Sequence, residues 1–176
     1  IVTIEDPIEY HIGGISQTQV DARKSYTFAN GLRAIVRQDP DLILVGEIRD
    51  AETAKIALQA ALTGHLVFST LHTNDAAGGV TRLLDMSIEP FLVASSVLCF
   101  IAQRLVRTVC ASCLIERPPD PILKERFAVP ELPRSLRYGR GCPACKGTGY
   151  QGRTAIYEFL VLDETVQQLV LKRASS

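Results

Sequence analysis

Apolar residues in this chain fall in short runs bounded by polar clusters, and the period of each run predicts its element. Val2 and Ile4 share one face of an opening strand, which Asp6-Pro7 ends because proline lacks a ladder donor. Residues 12–20, opened by Gly13-Gly14, read as a short hairpin or an edge strand. Thr27 is placed to cap a helix running to Gln38, where Asp39-Pro40 stops it. The continuous apolar run 42–46 is a buried strand. Asp50 caps a helix whose Ala54, Ala57, Leu58, Ala61 and Leu62 lie on one face, and Gly64 closes it. A second buried strand covers 66–70, and Asn74 or Asp75 starts another helix. Pro90 opens a further helix to about Gln103. The apolar stretch Phe91 to Ala102 is too short to span a membrane and suits a buried helix with Cys99 in the core. Strand character returns over 152–162, and Asp163 caps a last amphipathic helix. Alternating strands and helices predict an α/β fold on a parallel sheet.

Composition changes this picture in one place. Residues 110–150 hold most of the prolines, Gly139, Gly141, Gly147 and Gly149, and four of the five cysteines, as Cys110/Cys113 and Cys142/Cys145. This predicts a loop-rich insert in the α/β body. Two C-x-x-C pairs in a chain with no secretion signal favour zinc over disulfides, and a reducing compartment. Four thiolates close a tetrahedral structural site and leave no position for a catalytic water. Of 176 residues 47% are hydrophobic, enough for one sizeable core, and 19 basic residues balance 19 acidic ones. No basic run marks a nucleic-acid footprint. The chain opens on Ile1 and its single methionine is Met86, so it is expected to be a piece of a longer protein.

The candidate chemistry sits where the two buried strands end. Carboxyl ends of parallel strands face the ligand crevice. Glu47 follows the first strand and His72 the second, so a carboxylate and an imidazole meet at neighbouring strand ends. Such a layout suits nucleotide hydrolysis. A solvated carboxylate and a structural histidine are the bland readings of the same residues. No G-x-x-x-x-G-K-S/T phosphate loop occurs in the chain, so the sequence reads as part of an active site.

Four blocks in order resemble the C-terminal ATPase domain of the type II secretion and type IV pilus-assembly motors, within the secretion ATPase superfamily. Ile4 to Tyr10 resembles the family's Asp box, Arg37 to Asp50 its Walker B block, and Thr63 to Asp75 its His box. The paired C-x-x-C resembles the tetracysteine module of the secretion and pilus-extension branch. The resemblance implies a partial RecA-like P-loop core over 1–109, a zinc-binding module over 110–150, and a returning strand with the start of a C-terminal helical region over 151–176. It implies a homo-hexamer that hydrolyses ATP with Mg²⁺ and carries Zn²⁺. That motor is cytoplasmic, lies peripherally at the inner membrane without insertion, and works on a platform protein there, with no nucleic acid bound. The family's Walker A loop precedes the Asp box and is absent here, so the chain alone is expected to be inactive.

Under that resemblance Glu47 holds a water of the magnesium ion, because magnesium keeps several waters and uses few carboxylates. Glu5 polarises the attacking water as a general base, with Glu9 as a second candidate near the γ-phosphate. Either Glu5 or Glu47 can be the base. His72 donates a hydrogen bond to the γ-phosphate. Arg82, with Arg33 and Arg37, is a candidate for stabilising phosphate charge, a solvated helix face being the alternative. Cys110, Cys113, Cys142 and Cys145 bind zinc. Two other classes remain open. A zinc-centred interaction module is suggested by Cys142 to Gly149, which resembles one repeat of the zinc region in J-domain chaperones. A RecA-like nucleic-acid translocase would share the fold, although the neutral charge argues against it.

Overall fold

The computed structural model describes residues 1–127, 131 and 133–173. In chain order the elements are β1 (Val2–Glu5), β2 (Ser16–Gln19), α1 (Phe28–Val36), β3 (Leu42–Val45), α2 (Ala51–Leu62), β4 (Leu66–Ser69), α3 (Ala76–Asp85) and α4 (Pro90–Ser96). There follow β5 (Cys99–Val109), β6 (Leu114–Arg117), α5 (Ile122–Phe127), β7 (Leu136–Gly139), β8 (Tyr150–Val161) and α6 (Glu164–Leu171). They form two compact units, one of Ile1–Ala102 with Glu158–Ser176 and one of Gln103–Tyr157.

The first unit is built on a parallel sheet in the order β2-β1-β3-β4. Strand register decides which face each side chain takes. Ile4 stands beside Val45, and Ile43 stands between Val2 and Val67. Ile4, Ile43 and Val45 are fully buried and share a core with Leu32 and Ile35 of α1 and Ala54 and Leu58 of α2. Each such aliphatic side chain contributes about 1.5–3 kcal/mol by leaving water. α4 packs on α2 and α6, adding Val93 and Val170 to that core. The other face carries Thr3, Glu5, Gln17, Leu42, Leu44, Leu66 and Phe68. Phe68 there is 51% exposed and Leu66 43%.

Helix starts follow cap chemistry. Thr27, Asp50, Asp75 and Asp163 each accept a hydrogen bond from the backbone N–H three residues on, at 2.7–3.2 Å. Each bond satisfies one orphan donor of the first turn and is worth about 1 kcal/mol. α1 stops at Val36, two residues short of the expected Gln38, with Arg37 as its cap. Of the two readings for residues 12–20, the structure has the edge strand, β2, parallel to β1.

One expected helix is corrected. The apolar run from Pro90 predicts a helix to about Gln103, with Cys99 in the core. The helix α4 ends at Ser96; Val97 is already extended, and Cys99 begins an eleven-residue strand paired with β8. Cys99 is half-buried, not a core residue. An apolar run of this length fits a helix or a strand equally by period. Here β-branched and aromatic residues, Val97, Phe100 and Ile101, together with a partner strand, decide for the strand.

In the second unit β6 and β7 form an antiparallel hairpin. Guanidinium groups stack on aromatic rings of this unit, Arg117 of β6 over Tyr138 of β7 at 3.9 Å and Arg107 of β5 over Tyr150 of β8 at 4.0 Å. No helix among the described residues is long and apolar enough to cross a membrane.

Candidate functional site

The carboxyl ends of β1, β3 and β4 lie side by side and are pinned by backbone bonds. Gly46 donates its N–H to the Ile4 carbonyl at 2.8 Å, and Ile48 donates to the Thr70 carbonyl at 3.0 Å. The Thr70 hydroxyl donates to the Gly46 carbonyl at 2.7 Å. A Cβ at Gly46 would meet Glu5 Cα and the Ile4 carbonyl oxygen, each at 3.3 Å, so glycine lets the ends of β1 and β3 approach. Ile48 points into the core at 7% exposure. Its neighbours Glu47 and Arg49 point away from the core, toward the strand-end crevice.

Glu47 is the centre of this edge. His72 Nε2 lies 3.0 Å from Glu47 Oε2, and Arg49 Nη2 lies 2.6 Å from Glu47 Oε1. The carboxylate is the shielded member, with its side chain 12% exposed against 61% for Arg49 and 80% for His72. The Arg49 hydrogen bond lowers the Glu47 pKa below the ordinary carboxylate value, and partial burial opposes it. Glu47 in turn raises the pKa of Arg49. The sequence reading placed Glu47 and His72 together and missed Arg49. Residues 47–49 lie past the end of β3, where strand alternation no longer fixes which way a side chain faces, so Arg49 carries no local signal.

Glu5 ends β1 on the open face of the sheet. Its Oε1 accepts from the Thr3 hydroxyl at 2.5 Å and from Gln17 Nε2 at 3.1 Å. Glu5 and Glu9 line one cavity of about 290 Å³ together with Thr3, Tyr10 and Gln17. The recorded bonds of Glu5 thus run to its own face and not to the Glu47–His72 pair. Arg82 lies in the last turn of α3 and is exposed. Arg33 is ion-paired with Glu52, and Arg37 caps α1. His65 Nδ1 lies 3.1 Å from the Ala60 carbonyl, tying the end of α2 to the start of β4. At the start of α3, which follows the His72 loop, Glu158 accepts from the Ala76 N–H at 3.4 Å.

The second cluster lies in the second unit. The sulfur atoms of Cys110, Cys113, Cys142 and Cys145 all lie within 4.8 Å of one another. Cys110–Cys142 and Cys113–Cys145 are 3.9 Å apart and Cys142–Cys145 3.8 Å. A disulfide would hold two sulfurs at about 2.05 Å. A tetrahedral zinc with Zn–S bonds of about 2.3 Å sets sulfur–sulfur edges of about 3.8 Å, so the donor set fits zinc. Cys145 Sγ accepts from the N–H groups of Cys142 and Gly149, each at 3.2 Å. These bonds favour the thiolate and lower the Cys145 pKa to about 6, while burial pushes Cys113 up to about 11. Gly139 and Gly149 let two backbones cross: a Cβ on Gly139 would lie 1.8 Å from the Gly149 carbonyl oxygen, and Gly149 has φ +77°.

The sequence pattern of the type II/IV secretion system protein family matches the chain over residues 1–176. The chain is 56% identical over 175 residues to the type II secretion system ATPase E of Vibrio cholerae, covering 99% of the chain and 35% of that protein. It is 52% identical over 177 residues to the type IV pilus assembly ATPase PilB of Thermus thermophilus, covering 99% of the chain and 20% of PilB. Its α/β fold resembles the crystal structure of the pilus retraction motor PilT with bound ADP, at a TM-score of 0.66 and 30% identity, over 98% of this chain and 41% of that one. The chain thus spans a minor part of the length of each relative.

Proposed function

The chain belongs to the type II/IV secretion system protein family, and on that premise we propose that it forms part of a hexameric ATPase that drives type II protein secretion or type IV pilus assembly. The observation that carries this reading is the contact of Glu47 with His72 at 3.0 Å, across the ends of two adjacent parallel strands. The names of the relatives and the ADP in the PilT structure supply the reaction class. In this reading the first unit is the carboxyl-terminal part of a RecA-like P-loop core and the second is a structural zinc module. The assembly is cytoplasmic and meets a platform protein at the inner membrane.

Glu47 is suited to magnesium because one shielded carboxylate is all that an ion retaining most of its waters requires. A bound magnesium ion would neutralise phosphate charge; Glu47 would hold one of its waters, and His72 would donate to a γ-phosphate oxygen. Glu5 or Glu47 takes the proton of the attacking water. Glu9 lines the Glu5 cavity, and Arg82 supplies positive charge to phosphate. The four cysteines hold zinc and fix the turns of the second unit without touching nucleotide.

This reading separates the whole protein from the chain. Phosphate binding in such folds relies on backbone N–H groups of a glycine-rich loop, a helix N-terminus and a lysine, and no such motif occurs in residues 1–176. Full-length protein should hydrolyse ATP in a magnesium-dependent manner, and the 176-residue chain alone should show no turnover in the same assay. Steady hydrolysis by the chain alone would place a phosphate cradle within it. An inert full-length protein would sink the ATPase reading.

A further inference from the structure

We propose that Arg49 is a phosphate-responsive positioning residue: it pairs with Glu47 and transfers to the terminal phosphate of ATP when nucleotide binds. This rests on the ATPase reading above and adds a residue to it.

Both oxygens of Glu47 are engaged by side chains, Oε1 by Arg49 at 2.6 Å and Oε2 by His72 at 3.0 Å. The carboxylate is shielded, and its two partners reach it from solvent. The fixed and movable parts are therefore distinct. The backbone at Ile48 is held by its bond to Thr70 and by the burial of its side chain. The Glu47 side chain is shielded on a fixed backbone, whereas the exposed guanidinium has room to swing on its own side chain. Asp6, past the end of β1, also attracts Arg49 electrostatically, so a second carboxylate acts on the guanidinium.

A water held between Glu47 and a metal ion needs a place on that carboxylate, and the guanidinium stands at one of its two oxygens. A phosphate offers Arg49 an equivalent partner, because the planar fork pairs with phosphate oxygens as well as with a carboxylate. Exchange of one anion for the other keeps the guanidinium paired throughout and opens Glu47 only when phosphate is present. His72 faces the same exchange from the other oxygen. Among the described residues, the ion pairs recorded at these strand ends are these two. The arrangement makes Arg49 sensitive to the γ-phosphate, which ADP lacks.

The test compares ATP and ADP binding to full-length protein with magnesium present, using fluorescent nucleotide analogues, for wild type, Arg49→Gln and Arg49→Lys. Arg49 is mostly exposed, and Arg49→Lys keeps the charge should the neutral variant fail to fold. The expected result is that Arg49→Gln weakens ATP about tenfold, the order of a lost charge-assisted hydrogen bond, and leaves ADP nearly unchanged. Arg49→Lys should recover part of the ATP preference, since lysine offers a point charge without the fork. Unchanged ATP affinity in Arg49→Gln, or equal weakening of ATP and ADP as a purely structural role would give, would overturn the proposal while leaving the ATPase reading intact. A wild-type protein that binds neither nucleotide would remove both.

Discussion

Full-length protein carrying Glu47→Gln is expected to bind ATP and to hydrolyse it about 10²- to 10⁴-fold more slowly than wild type, the range for removing a group that positions or accepts a proton in the transition state. The substitution keeps the shape and removes the charge. It should not disturb the fold, because the backbone around residue 47 is held by Gly46, Ile48 and Thr70 and not by the carboxylate. Binding is expected to survive, because in the proposed reading Glu47 acts on a water of the ion and does not itself hold the phosphates. Steady-state ATP hydrolysis alongside direct nucleotide binding measures the two effects separately. Near-normal turnover would assign the chemistry to another carboxylate, and Glu5 is the next candidate, since it ends the adjacent strand.

The second large effect is expected at Cys145. Its sulfur is buried and accepts two backbone N–H bonds. Cys145→Ser replaces a soft, readily ionised ligand with a hydroxyl that zinc binds poorly. Metal analysis of the purified full-length protein should fall from about one zinc ion per chain to almost none. Structural zinc supplies about 10–16 kcal/mol in small zinc-finger peptides, which is as large as the whole stability of a typical domain, about 5–15 kcal/mol. Loss of the ion should therefore unfold the second unit. Limited proteolysis should open sites between residues 103 and 157 and spare the first unit. Full zinc occupancy in the variant, or a wild type with cysteines joined as disulfides and no metal, would contradict the assignment.

Much of the first unit was legible because its elements announce themselves locally. Thr27, Asp50, Asp75 and Asp163 are side chains whose oxygens bond N–H groups three residues on, and no tertiary information is needed to see them. The runs at 42–46 and 66–70 were visible as strands, and polar residues at their ends put Glu47 near His72; burial was legible only for the first, because β4 is an edge strand with Leu66 and Phe68 exposed. The failure at Cys99 had the opposite cause. Its strand exists through pairing with β8, which lies some fifty residues further along the chain, and such a partner leaves no local mark. The direction of Glu5 was hidden for the same reason, since it depends on Thr3 and on Gln17 from the edge strand β2. Arg49 left no local mark, because it lies past the end of β3, where strand alternation no longer applies. In the insert, the cysteine spacing marked the cluster, but the β6–β7 hairpin is only four residues a side and has no clear period to read.

The most direct test of the account is a structure of the full-length protein with magnesium and a non-hydrolysable ATP analogue. The account predicts the γ-phosphate at the carboxyl ends of β1, β3 and β4, with His72 in hydrogen-bond contact and Glu47 on a water of the magnesium ion. Nucleotide seated elsewhere, with the Glu47–His72 contact intact and no magnesium beside it, would contradict the account.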